Sequence, residues 1–416
     1  MTAEPLELAG MLGGCGAAAA ALVLDDRRAR LIACALALAI APVLVLGNVW
    51  HEPRVVDFRT SPAQLGTALA VGVVGVALLG SLFRRHSSLL PIAALAMLPL
   101  RVPVDIGGET ANLLVPLYLV IAAGVIAAGS REWRAGRAPA APPDSGWPRW
   151  LRWALAATLV LYAVQAAYSD DVKNAIENIG FFLVPFAVLF ALLVEVEWTR
   201  RLLGRALIAV GVVASVCAAI AVYQWLARDL FLNPELFDAN ELHIYFRANS
   251  VFFDPNILGR YLALAIAAFA ACLAWAESRR AVGLALGACA LALVGLAFSY
   301  SITSFAALLA GLATIALLRW GARGLAATGA LGAVALIALL LAGGTPTSDI
   351  ESDRSIDSGH ASLLRGGIEL AGDRPLAGYG SGSFGAAFYD NIERARTTVS
   401  HSEPVTVAAE QGAIGV

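Results

Sequence analysis

Three polar strings interrupt an otherwise apolar chain, and their residue types suit holding an anion and moving a proton. The first runs Tyr245-Phe-Arg-Ala-Asn-Ser-Val-Phe-Phe-Asp-Pro-Asn-Ile-Leu-Gly-Arg260. Pro255 followed by Asn256 marks a helix start, because proline tolerates the first turn and lacks the donor that would go unpaired there. Arg247 precedes that start and Arg260 follows one turn inside it. A helix N-terminus flanked by two guanidinium groups is a natural anion site, with Arg247, Asn256 and Arg260 as its candidate residues. The plainer alternative is that Arg260 snorkels to the membrane interface and Arg247 is solvated.

The second string covers Gly359 to Phe384, and with the next residue its Gly380, Gly382 and Gly385 spell G-x-G-x-x-G. No strand of a βαβ unit precedes it, so a dinucleotide fold is a poor fit. A tight turn, or a backbone nest at Gly380 and Gly382 facing a phosphate, fits better. His360 and Arg365 fall on a short helix just before it, offering a titratable group and a cation; solvated loop residues are the plainer alternative. The third string covers His401 to Gly415. Ser402 is placed to cap a helix with Pro404 in its first turn. His401 then sits at the positive end of the helix dipole, which disfavours imidazolium and leaves a neutral ring able to accept a proton. Taken alone, it also reads as an interfacial histidine.

What must position these strings is a membrane bundle. Of 416 residues, 59% are hydrophobic and 14% charged, against about 45–50% and about 25% in soluble domains. Mean hydropathy is +0.73. This excludes a soluble enzyme, a nucleic-acid binder and a disordered chain. Twelve apolar stretches suit a crossing of about 30 Å of hydrocarbon: 8–24, 31–50, 62–83, 89–104, 112–128, 150–168, 179–196, 205–227, 256–275, 281–299, 303–319 and 325–343. Residues 1–7 hold two acids and no base, unlike a signal peptide. The five cysteines lie in apolar runs and read as small hydrophobes.

Basic residues set the expected orientation. Alternate connections, from Arg27, Arg28 and Arg30 through to Arg319 and Arg323, hold seventeen of them, against seven in the short connections of the other set. The first set is therefore expected in the cytoplasm. The N-terminus and all three strings are then expected outside. The fold class read from this is all-α: a polytopic transmembrane helix bundle over 1–343, with a long extracytoplasmic loop containing short helices over 344–400. Residues 401–416 read as the start of a further transmembrane helix. That piece covers about 24 Å, short of the hydrocarbon thickness, and no basic residue follows to anchor it, so the chain is expected to continue past Val416.

Together the strings resemble the O-antigen ligase and O-antigen polymerase family, membrane glycosyltransferases of the C superfamily. The family's histidine with a glycine eleven positions on is matched by His401 and Gly412, with Glu410 and Gly415 also in place. Its arginine ahead of a Pro-Asn helix start is matched by Arg247, Pro255 and Asn256, and its Pro-x-x-Gly-x-Gly turn ending in Phe by Pro375, Gly378, Gly380 and Phe384. Two departures stand out. The usual register of the second arginine falls on His360, with Arg365 nearby, and Ser299-Tyr-Ser-Ile-Thr303 stands where a serine-arginine-glycine string is common.

The resemblance implies transfer of a glycan from an undecaprenyl-diphosphate-linked donor to a hydroxyl of a glycan, lipid or protein acceptor, at the outer face of a bacterial cytoplasmic membrane. Arg247 and Arg365 would stabilise the departing diphosphate, worth several kcal/mol in a water-poor site. His401 would serve as base, worth about 10²–10⁴-fold. Arg260, His360, Asn256, Gly380 and Gly382 would bind substrate, with no metal, no cofactor and no nucleic acid involved. A transporter or flippase of lipid-linked sugars is the alternative, but such proteins place charges at mid-membrane, and these spans are nearly charge-free away from their ends.

Overall fold

Alanine and leucine dominate the apolar runs, and both are strong helix formers. In lipid a backbone must also satisfy its own polar groups, which a helix does within one segment. The computed structural model describes residues 4–106, 109–135, 148–232, 246–275, 278–341, 357–392, 400 and 402–416. Its helices are α1 (Pro5–Val23), α2 (Arg27–Asn48), α3 (Pro53–Thr60), α4 (Pro62–Arg85), α5 (Leu89–Met97), α6 (Val115–Ala135), α7 (Arg149–Ala166) and α8 (Val172–Asn178). A π turn, Ile179–Leu183, leads into α9 (Val184–Val194), followed by α10 (Arg200–Ala227), α11 (Pro255–Trp275), α12 (Arg279–Ser299) and α13 (Ile302–Trp320). The last four are α14 (Ala322–Leu341), α15 (Asp357–Asp373), α16 (Phe384–Asn391) and α17 (Glu403–Gly415). Local chemistry sets several starts: Asp26, Asp171 and Thr199 accept first-turn amides of α2, α8 and α10.

Among the described residues, nine helices are long and apolar enough to cross a membrane, α8 and α9 counting as one. The all-α polytopic class is what the chain adopts. Two further expected spans are present as α7 and α14, helices of 18 and 20 residues.

One expected span fails. The stretch 89–104 yields only the nine-residue α5, about 13 Å long at 1.5 Å per residue and too short for the hydrocarbon. Pro99 and Pro103 stop the helix, and the chain turns into an antiparallel hairpin, β1 (Val102–Ile106) with β2 (Glu109–Leu113). The alternation of sides survives nonetheless. Arg131 Nη1 donates to the Phe83 carbonyl at 2.8 Å, and Val115 and Leu119 line a groove with Ala63 and Thr67. So α4 and α6 run side by side in the same direction, and the connection between them returns the chain to the end where α4 began.

The chain divides into two compact units, residues 1–94, 102–198 and 356–416 in the first and 95–101 and 199–355 in the second. At the basic end of the first unit, Arg27 pairs with Glu132 and Glu195, Arg28 with Glu132, and Arg30 with Glu195. The same unit carries a small core of Leu370, Tyr379, Phe384, Ala387, Phe388 and Ala409 that joins α15, α16 and α17. The second unit packs α10 to α13 around Ala218, Leu258, Leu262 and Leu296. Gly295 lets α12 close on α10, since a Cβ there would lie 2.8 Å from Ala218 Cα.

Candidate functional site

In the second unit, the arginine of the first string is oriented from two sides. Arg247 is half-buried; its Nε donates to the Ser299 carbonyl at 3.1 Å and its Nη2 to Asn256 Oδ1 at 2.9 Å. Asn256, expected to bind substrate, thus spends its side-chain oxygen on holding Arg247. The helix start is as read: α11 begins at Pro255. Its first amides are not open, however. Asn256 N donates to Asp254 Oδ1 at 2.6 Å, and Ile257 and Leu258 donate to the Asp254 carbonyl. An anion at this N-terminus would meet guanidinium groups rather than free amides. Arg260 is exposed, its Nε 3.4 Å from the Asn256 carbonyl.

The segment carrying Arg247 is fixed by residues that sequence reasoning passed over. Gln224, fully buried in α10, accepts from Ser250 N at 2.7 Å and donates to the Ser250 carbonyl at 3.2 Å. Ser250 takes φ +54 between these bonds. Ala248 N donates to the Phe298 carbonyl at 2.9 Å, and Phe298 stacks on Trp225 with centroids 4.5 Å apart. The string Ser299 to Thr303 therefore supplies Arg247 with a carbonyl. The signal for Gln224 was present in the sequence: a lone amide in an apolar helix must find a polar partner.

In the first unit, the glycine string forms a turn with left-handed backbone at Gly378, Gly380 and Gly382 (φ +66, +98 and +77). A Cβ at Gly382 would lie 2.8 Å from Ala175 N, so the turn needs glycine for space as well as for φ. Its amides point inward to α17. Tyr379 N and Gly380 N donate to the carbonyls of Ala409 and Glu410, at 3.0 and 2.8 Å. The Glu410 carboxylate takes Gly382 N at 2.9 Å and Phe384 N at 3.1 Å. The donors of the expected phosphate nest at Gly380 and Gly382 are thus occupied by the chain itself. Glu410, read from the sequence only as part of the family pattern around His401 and Gly412, is what closes the turn.

The connection after α7 docks the other side of the turn. Tyr168 Oη donates to the Ala377 carbonyl at 2.7 Å, Ser169 Oγ to Ser381 at 2.8 Å, and Asn174 Nδ2 to Gly382 at 2.6 Å. Gln165 Nε2 reaches the Gln411 carbonyl at 3.0 Å. Arg374 lies 4.0 Å from Asp170 and over the Tyr379 ring. Burial and the neighbouring Asp373 carboxylate push the Tyr379 phenol above its usual value.

Arg365 is exposed on α15, on the face opposite the buried Gly366, Gly367 and Leu370. Positions 360 and 365 are five apart, about 140° around a helix, so His360 and Arg365 do not share a face. The His360 side chain and all of His401 lie outside the described residues. The start of α17 is as expected, with Ser402 at the N-cap position and Pro404 in the first turn, but the Ser402 hydroxyl makes no capping bond. Ser400 and Thr406 do the holding instead: Ser400 N donates to Thr406 Oγ1 at 3.1 Å, and Ser402 N to Ser400 Oγ at 3.2 Å.

Residues 287–416 match a family model described as O-antigen ligase. The C-terminal part of the chain is thus similar to O-antigen ligases. The matched O-antigen ligase segment holds Ser299, Arg365, the glycine turn, His401 and Glu410, while Arg247, Asn256 and Arg260 precede it. It supports a ligase-type function in cell-surface polysaccharide. No curated protein and no solved structure matches the chain.

Proposed function

We propose that this protein transfers a glycan from an undecaprenyl-diphosphate-linked donor to a hydroxyl of a glycan, lipid or protein acceptor, at the outer face of the cytoplasmic membrane. The observation that carries this reading is the O-antigen ligase match over 287–416, which contains the glycine turn, Arg365 and His401. In the reaction the bond from the anomeric carbon to the diphosphate oxygen breaks and one to the acceptor oxygen forms. The proton of the acceptor hydroxyl goes to a base, the role given to the His401 imidazole. Arg247 binds the departing diphosphate. Its planar fork suits that bidentate contact, and the Ser299 carbonyl and Asn256 amide hold the fork in one orientation.

Arg365 is the candidate second cation by the family resemblance, and Arg260, one turn into α11, a candidate substrate contact. Asn256 then acts by orienting Arg247. Gly380 and Gly382 act by shaping the turn, since Glu410 holds their part of the backbone. The decisive experiment incubates purified protein in detergent with a lipid-linked glycan and an acceptor, without nucleotide or ATP. Glycan transfer with release of undecaprenyl diphosphate supports the proposal. Movement of intact donor across a vesicle membrane with no transfer would replace it with the flippase reading.

A further inference from the structure

A second polar site lies at the basic end of the first unit. Between the end of α1 and the start of α7 is a cavity of about 230 Å³ lined by Val23, Asp25, Arg149, Arg152 and Trp153. Arg152 is largely buried there. Its Nε donates to the Leu22 carbonyl at 2.6 Å and its Nη2 to Leu24 at 3.4 Å, closing the end of α1. Arg149 is 79% exposed and meets Asp25 Oδ2 at 3.3 Å, while Arg152 Nη2 stands 3.9 Å from Asp25 Oδ1. Among the described residues that line it, two guanidinium groups stand against one carboxylate, a surplus of one positive charge. The first turn of α7, behind Pro148, has no side-chain cap and adds the positive end of its dipole. The neighbouring Arg27, Arg28 and Arg30 differ, because Glu132 and Glu195 pair with them.

An apolar track leads away from this cavity. Trp150, Trp153, Ala157, Val160 and Val164 are all exposed, and their spacing of three, four, three and four residues puts them on one face of α7. Tryptophan is the side chain favoured where hydrocarbon meets headgroups, and two stand at the charged end of the track.

We propose that the cavity holds the phosphate of an anionic phospholipid whose acyl chain lies along the α7 track. A phosphodiester carries one negative charge and neutralises the surplus of the site. A zwitterionic headgroup would bring an ammonium group beside Arg149. Free phosphate would leave the track uncovered. The site is separate from the residues assigned to glycan transfer.

Native mass spectrometry of the full chain, titrated with phosphatidylglycerol, phosphatidylcholine or inorganic phosphate, tests this. Phosphatidylglycerol is expected to bind one-to-one in preference to phosphatidylcholine, with inorganic phosphate failing to compete. Arg149→Gln should weaken it about fivefold, the worth of ~1 kcal/mol for one arginine near an anionic lipid surface. Asp25→Asn, which removes the competing carboxylate, should strengthen it by a similar factor. Arg201→Gln, at an exposed arginine in the first turn of α10, should leave it unchanged. Equal binding of the two lipids, no loss in Arg149→Gln, or an equal loss in Arg201→Gln would overturn the site. Displacement by inorganic phosphate would show a free-anion site instead of a lipid site.

Discussion

Arg247 in the second unit and Glu410 in the first are both charged groups held by hydrogen bonds, but they are held for different ends. Two neutral oxygens, the Ser299 carbonyl and Asn256 Oδ1, are among the groups that orient the Arg247 guanidinium, and they leave part of its planar fork of donors for other partners. Both Glu410 carboxylate oxygens, by contrast, are spent on the amides of Gly382 and Phe384. The carboxylate closes a turn whose glycines leave no room for side chains. The first arrangement suits a group that meets a ligand, and the second suits a scaffold. Damage to Glu410 should therefore appear first as loosened structure, and damage to Arg247 as lost turnover in a folded protein.

The largest effect is expected at His401, which stands between the hydrogen-bonded Ser400 and Ser402. If the scaffold region serves to present this residue, His401→Ala should lower kcat by about 10²–10⁴-fold, the usual worth of a general base. A radiolabelled lipid-linked donor in detergent would measure it, and turnover at the wild-type rate would remove His401 from the mechanism. Next, Arg247→Ala should cost about 10²–10³-fold, as for loss of one stabilising donor in a preorganised site. Membrane insertion and thermal stability should be retained. Arg247→Lys should recover little, because an ammonium lacks the bidentate fork; full recovery would argue for simple charge attraction.

Glu410→Gln sharpens the other side of the comparison. The amide nitrogen would face one of the two backbone donors, losing a charge-assisted bond worth about 1.5–3 kcal/mol. Hydrogen exchange at the Gly382 and Phe384 amides should accelerate by roughly tenfold to a hundredfold, as that energy implies. Unchanged exchange would mean that Glu410 does not lock the turn. The smallest effect belongs to Asn256→Ala, which removes one of the two described bonds that orient Arg247. A loss of about tenfold in kcat/KM is expected, the lower end of the about 1.5–3 kcal/mol that a hydrogen bond to a charged group is worth. A loss as large as that of Arg247→Ala would instead place Asn256 in direct contact with substrate.

How much of this was legible in the sequence depends on the distance between partners. The helix starts at Pro255 and at Glu403 follow from proline, asparagine and serine placed next to an apolar run. The failure of 89–104 was also legible, in Pro99, Arg101 and Pro103, but the apolar average of the stretch outweighed them. At Gly380 and Gly382 the sequence left a tight turn and a phosphate nest both open, for a different reason. Glycine spacing reveals a turn without telling which groups its amides meet, and Glu410 lies 28 residues away from Gly382.

Composition, hydropathy and the bias of basic residues were enough to establish a polytopic helical membrane protein, because burial in lipid and helix propensity add up locally along the chain. The three polar strings were visible for the same reason, as interruptions of that sum. Only the tertiary structure decided that Asn256 serves Arg247, that Ser299 gives its carbonyl, and that Glu410 fills the glycine turn. These bonds join residues 9, 52 and 28 positions apart, and Gln165 reaches across 246 to Gln411. A buried donor or acceptor must be paired, but residue order does not say with which group; that choice is made when the helices pack.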